Sequence, residues 1–193
     1  MKFIITIVSL ALIVISIFWG YSSRNPVIVI ETELGDIKVE LYEKEAPVTV
    51  ANFLRYVDSS AFVNSTFYRT VTLENQPNNK IKIEVIQGGL YEEDKMYQPI
   101  EHEPTNKTGI LHRDGVISMA RNEPGTATSE FFICIGNQPE LDFGGKRNPD
   151  GQGFAAFGKV TGGMGVVKRI HNWPENRQML DPRIIINNIY RLR

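Results

Sequence analysis

One cysteine in 193 residues, Cys134, leaves no partner for a disulfide within the chain, so the fold must be held by packing rather than by cross-links. That thiol lies in the apolar run Phe131-Phe132-Ile133-Cys134-Ile135, where it reads as a small buried hydrophobe and not as a nucleophile. Histidine is nearly as scarce. His102, His112 and His171 are far apart and none has His-x-x-x-His spacing, so neither metal binding nor metal catalysis is expected. Blocks of like charge are missing too. The 21 Lys and Arg and 22 Asp and Glu are interspersed, giving a net charge of −1, which speaks against a nucleic-acid surface or a polybasic membrane patch. Gly144-Gly145-Lys146-Arg147 lacks the Gly-Lys-Ser/Thr ending of a phosphate loop, and Thr161-Gly162-Gly163-Met164-Gly165 fails the dinucleotide pattern, so no cofactor is expected. No internal repeat is visible.

A long hydrophobic run is present once, at the amino terminus. Between Lys2 and Gly20 the stretch Phe3 to Trp19 carries no charge. As a helix rising about 1.5 Å per residue, it is just long enough to cross a hydrocarbon core of about 30 Å. Trp19 and Tyr21 then fall where interfacial aromatics belong. Residues 1–21 are therefore expected to form a signal anchor that contacts the membrane through residues 3–19, followed by a polar linker at 22–26 and one globular domain at 27–193. A cleavable signal peptide is the competing reading, because Gly20 and Ser22 are small, but the apolar core is long for one. With Lys2 inside, the domain faces the extracytoplasmic, periplasmic side, or is secreted if the segment is removed. The domain itself is expected to be monomeric.

The remainder reads as mainly β. Val27 to Thr32 is β-rich, Leu34-Gly35-Asp36 signals a hairpin, and Ile37 to Leu41 alternates apolar with polar residues at period two. A helix is expected from Ala46 to Val57, with Pro47 in its first turn and Val50, Phe53, Leu54 and Val57 on one face. Strands follow at Phe67–Val71, Lys80–Ile86, Val116–Ala120 and Glu130–Ile135, with a long surface connection from Gly89 to Asp114. A short second helix spans Val166–Ile170 and a closing strand Ile184–Tyr190. Many short strands and two helices, without βαβ rhythm, point to a closed antiparallel barrel.

Four runs carry the chemistry: Phe67-Tyr68-Arg69, Ile86-Gln87-Gly88-Gly89, Ile117-Ser118-Met119-Ala120 leading to Ser129-Glu130-Phe131-Phe132-Ile133, and Phe154-Ala155-Ala156-Phe157-Gly158-Lys159-Val160. They set an arginine, a side-chain amide and an aromatic on neighbouring strands. In this order they resemble the cyclophilins, peptidyl-prolyl cis/trans isomerases, and most closely their bacterial branch, over Val27 to Arg193. The resemblance implies an eight-stranded antiparallel barrel capped by two helices, with the apolar amino-terminal helix in addition. It implies a site that turns over Xaa-Pro bonds of unfolded or flexible polypeptides. Arg69 would be the catalytic donor and Gln87 its orienting amide. Phe132 would be the pocket floor, Val85 and Leu141 its walls. Ala120 and Arg121 would offer backbone groups, Phe154 would stand at the rim, and Glu130 would occupy a position usually held by glutamine. Glu84 and Glu140 depart from the family pattern and are expected to thin one wall and weaken cyclosporin binding. Together with Glu130 they motivate an alternative, a membrane-tethered peptide-binding or chaperone module with little isomerase activity. A hydrolase is disfavoured, since no nucleophile is paired with a base.

Overall fold

The computed structural model describes residues 25–90 and 95–192. The expected anchor helix, and the linker up to residue 24, lie outside the described residues. No helix among the described residues is long and apolar enough to cross a membrane.

The described residues form nine strands: β1 (Val27–Thr32), β2 (Gly35–Leu41), β3 (Ser65–Val71), β4 (Val85–Gly89), β5 (Val116–Met119), β6 (Phe131–Cys134), β7 (Ala155–Gly162), β8 (Glu175–Asn176) and β9 (Met179–Arg191). Eight of them run β1-β2-β7-β5-β6-β4-β3-β9, and β9 returns to pair with β1, closing an antiparallel barrel; β8 is a short hairpin partner of β9. Period-two patterning decides which side chains enter. In β2, Ile37, Val39 and Leu41 are buried while Asp36 and Lys38 are exposed. Phe67, Ile86, Phe131 and Phe157 fill the interior from four other strands.

Two helices add to the same core. α1 (Pro47–Asp58) packs Val50, Phe53, Leu54 and Val57 against it, with the Phe53 ring edge-on to Phe131 at 5.4 Å. Between α1 and the third helix, α2 (Thr105–Thr108) adds one turn inside the long connection, whose sequence has little periodicity. α3 (Met164–His171) buries Val166, Val167 and Ile170. The residue preceding α1 is Ala46, which has no side chain to cap the exposed N–H groups of the first turn. Glu103 does this from a distance in sequence: its carboxylate accepts from Val48 N at 3.3 Å, from Thr49 N at 2.8 Å and from Thr49 Oγ1 at 2.8 Å. Glu103 is 2 % exposed, so these bonds are shielded from water. Glu103→Ala is expected to lower the unfolding free energy by roughly 2–3 kcal/mol in urea titrations, as for other buried charge-assisted bonds; a loss below about 0.5 kcal/mol, the usual size for a surface change, would rule this role out.

One expected strand is shortened. Residues 80–84 alternate in sequence, yet the strand begins at Val85. The reason is local competition: the Gln76 amide takes both backbone groups of Ile83, accepting from its N at 3.3 Å and donating to its O at 2.8 Å, as a neighbouring strand would have done.

Candidate active site

In β6 the alternation separates two adjacent rings. Phe131 and Ile133 face the barrel interior, while Phe132 and Cys134 face outward. There they join Val71, Ile83, Val85 and Leu141 in a second buried cluster, with Ala120 and Phe154 packed at its margin. Above it lies an open groove of about 410 Å³. Phe132, Val85 and Leu141 line its base, and the Phe154 ring stands edge-on to Phe132 at 5.3 Å. Ala120, Arg121 and Glu130 line one side, and Arg69 and Gln87 complete the set. All nine residues singled out from the sequence thus meet in one place.

The arginine reaches the groove through an irregularity in β3. Phe67 pairs with Gly88 and Arg69 with Gln87, leaving Tyr68 as an extra residue between them. This β-bulge reverses the parity of the strand, so that Phe67 lies in the interior cluster while Val71 lies in the outer one. The glycines after Gln87 permit the close approach. A Cβ on Gly88 would sit 2.9 Å from Phe67 Cδ1, and one on Gly89, whose φ is +137°, would sit 2.8 Å from Glu130 Cα.

The groups then lock in sequence. Gln87 Nε2 donates to Tyr68 Oη at 2.6 Å and to Glu130 Oε2 at 3.2 Å, which turns the amide oxygen toward Arg69. Arg69 Nη1 donates to that oxygen at 2.9 Å. Its Nε and Nη2 both donate to Gln178 Oε1, at 3.0 and 2.6 Å. Gln178 Nε2 in turn donates to Asn75 O at 3.0 Å. The guanidinium is therefore fixed by two neutral amides, and no carboxylate among the described residues forms an ion pair with it. Burial pushes its pKa below the usual arginine range, while Tyr68 and Glu130 act in the opposite sense. Burial and then the Glu130 charge push the Tyr68 phenol far above its ordinary range, so it stays protonated.

Arg121 does more than offer backbone groups. Its side chain is 1 % exposed, forms a two-pronged ion pair with Asp150 at 2.8 and 3.0 Å, and donates twice to Gly153 O at 2.8 and 2.6 Å. This pins the loop that leads into Phe154, over whose ring the guanidinium lies at 5.2 Å. Two expectations are corrected. Glu84 does not line the groove, and its carboxylate lies 4.0 Å from His171 Nε2. Glu140 does not line it either, and its Oε2 accepts from Lys146 N at 2.8 Å. Beneath Phe132, His112 stacks at 5.9 Å, with Nδ1 2.7 Å from Asp142 Oδ1 and Nε2 3.0 Å from Ser118 Oγ. This serine, histidine and aspartate are in line, a set the sequence did not reveal, but Ser118 is 0 % exposed and no substrate can reach its hydroxyl.

An aromatic floor beside a fixed, unneutralised guanidinium suits a proline ring and the amide that precedes it. A family model described as cyclophilin type peptidyl-prolyl cis-trans isomerase/CLD matches residues 27–191. The chain belongs to this family. Relatives of this cyclophilin include a peptidyl-prolyl cis-trans isomerase of Acinetobacter baylyi, 36 % identical over 160 residues that cover 80 % of this chain and 77 % of the relative. Peptidyl-prolyl cis-trans isomerase B of Escherichia coli is 33 % identical over 144 residues, 72 % of this chain and 80 % of the relative. Among solved structures, a Cryptosporidium parvum cyclophilin-type isomerase superposes with a TM-score of 0.67 at 24 % identity, covering 88 % of this chain and 99 % of that one. The same protein in the presence of the dipeptide Ala-Pro matches with a TM-score of 0.66 at 25 % identity, covering 86 % and 99 %. This cyclophilin is thus a peptidyl-prolyl cis-trans isomerase with the family's closed barrel.

Two members of this network carry no signal in the sequence: Tyr68, which holds Gln87, and Gln178, which holds Arg69 directly. Tyr68 has no visible role in the run Phe67-Tyr68-Arg69, because a bulge leaves no mark on a period-two pattern. Gln178 lies in the two-residue turn between β8 and β9, where Arg177 and Gln178 both have positive φ, +53° and +74°. Asn-Gly is the usual sequence for such a turn, so Arg-Gln gave no hairpin signal.

Proposed function

We propose that this cyclophilin accelerates rotation about Xaa-Pro bonds of unfolded or flexible polypeptides by stabilising the twisted amide, with no covalent intermediate. The uncatalysed barrier is about 18–20 kcal/mol because the planar amide is resonance-stabilised. Twisting localises a lone pair on the proline nitrogen, and a cation that donates to that nitrogen, or to the adjacent carbonyl, favours the twisted form over both planar ones. The observation that carries this reading is the Arg69 guanidinium, held by Gln87 and Gln178 beside the Phe132 floor. Val85 and Leu141 would grip the ring, Ala120 and Arg121 would align the extended peptide, Phe154 would limit the rim, and Glu130 would act through Gln87. Adding the protein to an Ala-Pro peptide should raise the cis-to-trans exchange rate measured by NMR; peptide binding at the spontaneous rate would favour the non-catalytic chaperone alternative. Of the three glutamates that motivated that alternative, only Glu130 lines the groove.

Neutral amides on both sides leave the charge of Arg69 available. Gln178→Glu would set a carboxylate against Nε and Nη2, and kcat is expected to fall roughly tenfold, equivalent to about 1.4 kcal/mol, with KM little changed. An unaltered kcat would show that this partner does not tune the donor.

The cellular setting belongs to the same proposal. The uncharged stretch Phe3 to Trp19 supports a single-pass anchor, with the catalytic domain on the extracytoplasmic side assisting folding there as a monomer. Protease added to intact cells should degrade the domain only after the outer barriers are opened, and recovery of the protein in the cytosolic fraction would refute this placement.

A further inference from the structure

We infer that the groove contains a second cationic subsite, built on Arg147, that selects peptides carrying a carboxylate side chain next to the proline. The inference rests on the isomerase reading above and adds a substrate preference to it.

Arg147 belongs to the loop between Leu141 and Phe154, and its half-buried side chain lines the groove. Only Nη1 is engaged, donating to Gln76 Oε1 at 2.9 Å and to Ile81 O at 2.6 Å. Both acceptors are neutral, and the Nε and Nη2 donors take no hydrogen bond among the described residues. That edge of the guanidinium is the one suited to two parallel bonds with a carboxylate. The acidic residues nearest in sequence are committed elsewhere: Asp150 to Arg121, Asp142 to His112, and Glu140 through Oε2 to Lys146 N, with its backbone O accepting from Arg147 N at 3.1 Å.

The charge of the groove is unbalanced. Arg121 is paired with Asp150, which leaves Arg69 and Arg147 against the single carboxylate of Glu130, bonded to Gln87. Burial, and then the like charge of Arg69, push the pKa of Arg147 below the ordinary arginine range, so the two guanidiniums already repel one another. A half-buried cation without a counter-charge is unfavourable, and an incoming anion relieves it. The position of Arg147 indicates where the anion sits. Its anchors, Gln76 and Ile81, adjoin Ile83, and Ile83 and Leu141 form one wall of the apolar seat. A residue adjacent to proline in an extended chain is displaced by about 3.3–3.6 Å, which keeps its side chain over that wall. The loop is not free to swing away: Gly144 N donates to Gly151 O at 2.8 Å, Gly145 N to Asp142 O at 2.9 Å, and Arg121 clamps Asp150.

The test uses the full-length protein and two peptide series, Ala-Xaa-Pro-Ala and Ala-Pro-Xaa-Ala, with Xaa as Glu, Gln or Lys, and reads kcat/KM by NMR exchange. In one of the two series Glu is expected to exceed Gln by about fivefold, the size of a partly screened ion pair, with Lys below Gln and the ratio shrinking as salt is added. Arg147→Gln should bring the Glu-to-Gln ratio to one, and Arg147→Lys should restore part of it. Equal turnover of Glu and Gln peptides by the wild type, or a ratio that survives in Arg147→Gln, would overturn the subsite while leaving the isomerase reading intact. No acceleration of any peptide, the Gln series included, would overturn both.

Discussion

Arg69→Ala is expected to lower kcat/KM for an Ala-Pro peptide by about 10²- to 10³-fold, the usual consequence of removing a preorganised donor aimed at developing charge. The loss should appear in kcat, because the interaction forms only as the amide twists, and KM should change little. The fold should persist. Arg69 points out of the barrel, and its removal deprives only the Gln87 and Gln178 oxygens of a donor, in a groove open to water. Arg69→Lys should recover little, since an ammonium cannot bond both amides and also face the substrate as a rigid plane. A rate within threefold of wild type in Arg69→Ala would remove the guanidinium from the mechanism.

The second large effect comes from two neighbouring rings whose substitution should fail in different ways. Phe131 is 0 % exposed and meets Phe53, Phe62 and Phe67 inside the barrel. Phe131→Ala is expected to cost about 3–5 kcal/mol of stability, as large-to-small core changes do, while molecules that remain folded keep their activity. Phe132 is 4 % exposed but lies beneath the groove. Phe132→Ala should remove the seat for the three methylenes of the proline ring, worth about 0.8 kcal/mol each, or roughly 50-fold in kcat/KM. Denaturant titration and exchange kinetics on the same two variants would separate the effects. If Phe131→Ala proved the more damaging to turnover per folded molecule, the division into inner and outer faces would be wrong.

The barrel and the groove residues were largely legible from the chain, and the division of Phe131 and Phe132 between two faces comes from the structure. The alternation in Ile37 to Leu41 and the many short strands point to the barrel, and the resemblance carried by the four runs implies the nine residues that meet at the groove. What escaped was whatever depended on irregular backbone or distant partners. The bulge at Tyr68 shifts parity without altering composition, and the Arg177-Gln178 turn brings a residue 109 positions away onto Arg69. The family pattern points to Glu84 and Glu140 as groove residues, but a single step along the chain from Val85 or through the one-turn 3₁₀ segment Pro139–Leu141 turns a side chain to another face. The Gly144–Gly151 segment read as a plain surface loop, though its Arg147 is folded back into the groove wall by Gln76 and Ile81.

A crystal structure of the protein with a bound Ala-Pro peptide bears most directly on the central claim. The proline ring should rest on Phe132 between Val85 and Leu141, with an Arg69 N–H within about 3 Å of the proline nitrogen or the preceding carbonyl oxygen. A ring seated elsewhere, or a guanidinium turned from the peptide onto Glu130, would contradict it.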